Sequence, residues 1–141
     1  MAQKTNVLLV DDDLTVRQSL KQALALEQFG VVVAANGVDA LREFGENHID
    51  IVLLDLNLGE ESGWDTLVKL KEIRPMVPVI LMSGHPENRA RHSNESGEVF
   101  MEKPLDLAVL FGKLHDMADA AAGRRTVNAW VKGTLGESLS A

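Results

Sequence analysis

The chain has 141 residues, 45% of them apolar and 25% charged, a balance that suits one globular domain burying roughly 65–70% of its unfolded surface. It contains no Cys, which excludes a disulfide framework and any Cys-ligated metal centre. With a net charge of −7, it is not expected to bind nucleic acid or an anionic membrane directly.

The amino terminus, Met1-Ala2-Gln3-Lys4-Thr5-Asn6, runs straight into a short apolar strand, Val7–Val10. That run is too short for a secretory h-region, and no stretch approaches transmembrane length, so a cytoplasmic location is expected. Asp11-Asp12-Asp13 closes the strand, and a helix is expected from Leu14 to Gln28, with Asp13 as its N-cap. Its apolar residues are Leu14, Leu20, Ala23, Leu24 and Leu26. Val31-Val32-Val33 reads as the second strand, Asn36-Gly37 as a turn, and Val38–Glu46 as a helix with Ala40, Leu41 and Phe44 on one side.

The third strand spans Asp50 to Asp55. Its run Ile51-Val52-Leu53-Leu54 is that of a strand buried on both faces, and it ends abruptly on a carboxylate. Gly59 to Gly63 is expected as a loop, and Trp64–Ile73 as a helix with Leu67, Val68 and Leu70, stopped before Pro75. Val77 to Met82 is the fourth strand and runs into Ser83-Gly84. In His85–Glu98 the only apolar side chain besides Pro86 is Ala90, so a short, weakly docked helix or a mobile loop is expected. Val99–Met101 is a short fifth strand, followed by Glu102-Lys103-Pro104 and a last helix, Leu105–Ala121. The domain is expected to span residues 1–121. Residues 122–141 are expected to form a tail, frayed or a short helix through Val127, Trp130, Val131 and Leu135, and about twenty residues are too few for an ordinary DNA-binding output domain.

Five βα units in succession imply an α/β, doubly wound parallel sheet with right-handed crossovers. In such a sheet, reactive groups gather at the carboxyl ends of the strands. Here those ends carry Asp11, Asp12 and Asp13, then Asp55, then Ser83, with Lys103 just past the fifth strand. If the first strand lies beside the third, the carboxylates converge and repel unless a cation joins them. Magnesium suits that site, because it takes oxygen ligands and keeps open positions for water or phosphoryl oxygens. A carboxylate beside a metal ion, an ammonium and a hydroxyl can attack phosphorus and form an aspartyl phosphate.

Taken singly, each residue has a plainer reading: Asp13 as a helix cap, Ser83-Gly84 as a turn, Lys103-Pro104 as a solvated lysine before a helix. Together, Leu8-Leu9-Val10-Asp11-Asp12-Asp13, Ile51–Leu58 with Ser62-Gly63, Pro78–Gly84 and Glu102-Lys103-Pro104 resemble the bacterial response-regulator receiver, the phosphoacceptor module of two-component signalling. The resemblance runs from about Asn6 to Ala121. It implies a flavodoxin-like (βα)5 fold with strand order 2-1-3-4-5, an order known for a chemotaxis receiver of this family.

The resemblance also implies roles. Asp55 would be the phosphorylated residue. Asp12 would bind magnesium directly, Asp11 mainly through water, and Asn57 through its backbone carbonyl. Ser83 would hydrogen-bond the phosphoryl group and Lys103 would pair with it. Ser83 and Phe100 would be switch residues, although Phe100 is equally an ordinary buried Phe. The implied partners are a sensor histidine kinase or phosphotransfer protein and a downstream protein target that reads the face around residues 85–121. The domain would be a self-modifying phosphoacceptor and not an enzyme acting on a separate substrate.

Two positions depart from the family pattern. Gly59 stands where Pro is usual, and His85 stands at a variable position that influences dephosphorylation, or is simply an exposed loop His. The main rival is a haloacid-dehalogenase-type phosphatase using Asp11 and Asp13, since Asp11-Asp12-Asp13-Leu14-Thr15 fits its Asp-x-Asp-x-Thr signature. That family needs a further acidic motif on a strand after the lysine, and it leaves Asp55 without a role. A nonenzymatic nucleotide or flavin binder would need a Gly-rich phosphate loop after the first strand, which this chain lacks.

Overall fold

The computed structural model describes residues 4–85 and 98–121. In chain order they form β1 (Asn6–Val10), α1 (Leu14–Leu26), β2 (Gly30–Ala34), α2 (Gly37–Glu46), β3 (Ile51–Asp55), β4 (Asn57–Leu58), β5 (Glu61–Ser62), α3 (Gly63–Ile73), β6 (Val79–Ser83) and β7 (Val99–Glu102). A helix, α4, covers residues 107–121. The expectations for the segment after His85 and for the tail beyond residue 121 lie outside the described residues.

Five strands make one sheet in the order β2-β1-β3-β6-β7, every neighbouring pair parallel. Numbered within that sheet, this is the expected 2-1-3-4-5. The short β4 and β5 form a separate antiparallel ribbon, in which β5 falls within the expected Gly59–Gly63 loop and β4 just before it.

The apolar runs explain the sheet's centre. Alternate residues of a strand point to opposite faces. Leu8, Val10, Val52, Leu54, Val79 and Leu81 therefore join one core with Ala40, Phe44, Leu67 and Leu70 of α2 and α3. Val7, Leu9, Ile51, Leu53, Ile80 and Met82 join the other, with Leu20 and Leu24 of α1 and Leu110 and Leu114 of α4. Both faces of β1, β3 and β6 are thus covered, which is why these strands carry no polar residue between their first and last positions.

The buried faces of the helices are narrower than expected. In α1 only Leu20 and Leu24 are buried, whereas Leu14 is 58% and Leu26 85% exposed. Both exposed leucines lie six positions from Leu20, about 120° around the helix from it. In α3, Val68 is likewise exposed.

The helix α1 also stops two residues earlier than expected. Gln28 takes a left-handed φ of 69°. Its N–H donates to the carbonyl of Ala25, and the N–H of Phe29 donates to that of Leu24. This is a Schellman closure, with Phe29 and Leu24 supplying the apolar contact.

Candidate functional site

Strand ends bring the predicted residues together. Asp11 follows β1 and is fully buried, and Asp55 ends β3 at 3% exposure. The parallel register of β1 and β3 pairs Val10 with Leu54, so the two carboxylates emerge side by side. Lys103 follows β7, and its backbone N–H donates to the carbonyl of Ser83 at 2.8 Å, which turns the lysine back over the sheet. Its Nζ then donates to Asp11 Oδ2 at 3.0 Å and to Asp55 Oδ2 at 2.8 Å. One ammonium bridges two buried carboxylates.

The remaining oxygens of that pair take local backbone donors. Asp11 Oδ1 accepts from the N–H of Asp13 at 2.9 Å, and Asp55 Oδ1 from the N–H of Asn57 at 2.9 Å. Asp12 is exposed at the rim, and one carboxylate oxygen from each of Asp11, Asp12 and Asp55 lies within 4.8 Å of the others. Oxygen ligands of magnesium, each about 2.1 Å from the ion, stand at most about 4.2 Å apart. Adjacent ligands stand about 3.0 Å apart, so three carboxylate oxygens gathered within 4.8 Å of one another can share one ion after drawing together.

Charge balance points the same way. Three carboxylates face one ammonium, and a divalent cation offsets the excess. Burial pushes Asp55 above the ordinary carboxylate pKa, more strongly than the hydrogen bonds from Lys103 and Asn57 and the charge of Lys103 pull it down, while the negative charge of Asp11 adds to the rise. For Lys103 burial is again the largest single influence and favours loss of the proton, but the bonds and charges of Asp55 and Asp11 together outweigh it and hold its pKa above the ordinary lysine value.

Asp13 does not join the cluster. Its Oδ1 accepts from the N–H groups of Thr15 at 2.8 Å and Val16 at 3.2 Å, the geometry of an N-cap. The signature that suggested a phosphatase therefore has its second aspartate engaged in helix capping. Among the described residues no strand follows Lys103, so the acidic motif that the alternative requires has no strand to sit on.

The loop behind Asp55 is built, not loose. Gly59 alone has positive φ, 67°, in the two-residue turn between β4 and β5, as at the first central position of a type II′ hairpin turn. Proline cannot adopt that φ, so the departure from the family pattern supports the ribbon. Ser62 caps α3 through its hydroxyl, and Gly63 N–H bonds the Leu56 carbonyl. A Cβ on Gly63 would stand 2.4 Å from the Asp55 carbonyl oxygen and 2.6 Å from Leu56 Cα. Both obstacles are backbone, so Gly63→Ala is expected to cost about 1–3 kcal/mol and to displace the end of β3. Urea denaturation checks this, and an unchanged midpoint contradicts the close approach.

Ser83 is fully buried at the end of β6. Its hydroxyl accepts from the His85 N–H at 2.9 Å and donates to the His85 carbonyl at 3.3 Å. His85 itself is exposed. Phe100 lies half-buried against the core shared with α2 and α3. Sequence reasoning missed one neighbour of the cluster, Arg17, whose Nη1 donates to the Asp11 carbonyl at 2.8 Å. A signal for it existed: a cation in the opening turns of a helix opposes the dipole preference for acids there.

The family profile described as the response regulator receiver domain matches residues 7–115. The chain belongs to the response regulator receiver family. Two solved receivers share the fold. The CheY-like receiver domain protein of Methanospirillum hungatei JF-1 is 26% identical with a TM-score of 0.78, the match covering 86% of this chain and 99% of that one. Response regulator TrrA of Thermotoga maritima, in complex with Mg(2+)-BeF, is 25% identical with a TM-score of 0.73, covering 80% of this chain and 98% of that one. Transcriptional regulatory protein GlrR of Escherichia coli K12 is 28% identical over 119 residues, which are 83% of this chain and 27% of GlrR. This receiver therefore spans about a quarter of the length of that curated relative. Nothing in these likenesses supports the phosphatase alternative.

Proposed function

We propose that this receiver accepts a phosphoryl group on Asp55 from the phosphohistidine of a sensor histidine kinase or phosphotransfer protein, with magnesium as its cofactor. The observation that carries the reading is the Lys103 ammonium held between Asp11 and Asp55 within the three-carboxylate cluster. In the transfer, a carboxylate oxygen of Asp55 bonds to phosphorus as the P–N bond breaks, and the leaving imidazole takes up a proton. Asp11, Asp12, Asp55 and the Asn57 carbonyl are the proposed magnesium ligands, and TrrA, a relative solved with Mg(2+)-BeF, supports that assignment. When bound, magnesium neutralises charge on the phosphoryl oxygens.

The chain's own groups complete the step. Lys103 exchanges its bond to Asp55 Oδ2 for one to a phosphoryl oxygen, keeping its second anchor on Asp11. The Ser83 hydroxyl turns from the His85 backbone to the phosphoryl group, and Phe100 responds as the second switch residue. The consequence is read by a downstream protein on the face around residues 85–121. The domain boundary falls near residue 121. No helix among the described residues is long and apolar enough to cross a membrane, and we place the domain in the cytoplasm. Its substrate is its own carboxylate, which makes it a self-modifying signalling domain.

Incubation with acetyl phosphate and magnesium is expected to add one phosphoryl group by intact mass, and EDTA to abolish the gain. No added mass at saturating magnesium, or a gain indifferent to EDTA, overturns the reading.

A further inference from the structure

We infer that Arg17 is a positioning residue that fixes the Asp11–Asp12 turn for cation binding. Every polar group of Asp11 is engaged. Its N–H donates to the Ala34 carbonyl, its two carboxylate oxygens accept from Asp13 and Lys103, and its carbonyl accepts from Arg17. Among the described residues, Arg17 is the one side chain outside the acidic cluster and its lysine with a hydrogen bond to Asp11. The carbonyl it holds belongs to the peptide joining Asp11 to Asp12. Fixing that peptide plane fixes the direction in which Asp12 leaves the strand end. Asp12 needs such help, because it is the exposed member of the cluster, whereas Asp11 and Asp55 are buried.

The anchor is itself well placed. Arg17 lies in the second turn of α1, its N–H bonded to the Asp13 carbonyl at 2.9 Å, and its side chain is half-buried. The helix that Asp13 caps thus reaches back over its own N-cap to hold the residue two places before it. A guanidinium suits this role because its donors are planar and pre-organised.

Positioning and bare charge make opposite predictions. As a mere positive charge near the cluster, Arg17 would repel a second cation, and its removal would tighten magnesium binding. As a positioning group, its loss loosens Asp12 and weakens binding, by about 10-fold or more, as for other groups that orient metal ligands. The inference rests on the magnesium reading proposed above, and calorimetric titration of the full chain with magnesium chloride separates the two. If the unmodified protein takes up no magnesium at millimolar concentration, the magnesium reading fails and this inference fails with it.

If the unmodified protein binds, Arg17→Met is expected to weaken affinity about 10-fold, and Arg17→Lys, which keeps a cationic donor nitrogen without the planar fork, to recover part of the loss. Affinity in Arg17→Met that is unchanged or tighter overturns the positioning role, whatever happens to its melting temperature. Should Arg17→Met fail to fold, Arg17→Lys and Arg17→Gln carry the same comparison. Binding by both at the unmodified affinity is then the contradicting result.

Discussion

Replacing Lys103 with Met is expected to destabilise the metal-free protein by about 3 kcal/mol at neutral pH, the low end of the range for breaking a buried ion pair. The substitution leaves Asp11 and Asp55 side by side, both nearly inaccessible to water, with no cation between them. The loss stays at the low end because one carboxylate can take up a proton and so relieve the repulsion. For the same reason the defect shrinks as pH falls into the carboxylate range and is largest at pH 7 and above. Saturating magnesium supplies the missing positive charge and recovers part of the stability. Urea denaturation with and without magnesium measures all three effects. A loss below about 1 kcal/mol, the value of an exposed pair, would mean that the Lys103 bridge is not a buried interaction.

Asp55→Asn is expected to act in the opposite direction on stability while abolishing phosphorylation. Burial is the largest influence on Asp55 and holds its pKa above the ordinary carboxylate value despite Lys103. An acid with a raised folded-state pKa stabilises the fold at low pH and loses that contribution as pH rises through the folded value. At neutral pH the ionised Asp55 therefore costs the metal-free protein free energy, and neutral Asn removes the cost. The variant is expected to melt at a higher temperature than the unmodified protein at pH 7 without magnesium. The two converge below the ordinary carboxylate pKa, where Asp55 is protonated in both folded and unfolded states. Intact mass after acetyl phosphate treatment should show no added phosphoryl group. A variant that melts lower at pH 7, or still gains phosphate, contradicts the account of Asp55.

The strands were the most legible part of the chain. Runs such as Ile51–Leu54 announce burial on both faces, and a polar residue closing each run marks the functional edge. The convergence of those ends depended on strand order, which the resemblance supplied, and the structure brings Asp11, Asp55 and Lys103 into contact. Within Asp11-Asp12-Asp13 the cap was legible, since Asp13 directly precedes the helix, whereas the different burial of Asp11 and Asp12 was not, because two identical side chains differ only in how each leaves the strand. The structure buries the first, exposes the second and uses the third as a cap.

Helical faces were less legible. Leu14 and Leu26 look like core residues in composition, and only their angular offset from Leu20 exposes them. The β4–β5 ribbon escaped notice because two-residue strands carry no alternation. Gln28 escaped because glycine, absent there, is the usual sign of a left-handed closure. The Arg17 contact depends on a long side chain folding back along its own helix, which spacing alone does not announce.

The central claim is that Asp55, and no other carboxylate of the cluster, carries the phosphoryl group. Borohydride cleaves an acyl phosphate by hydride transfer to the acyl carbon, with loss of phosphate, and converts the aspartate concerned to homoserine. After acetyl phosphate and magnesium treatment, reduction and peptide sequencing by tandem mass spectrometry should find homoserine at position 55. Homoserine at position 11, 12 or 13 with Asp55 intact would contradict it.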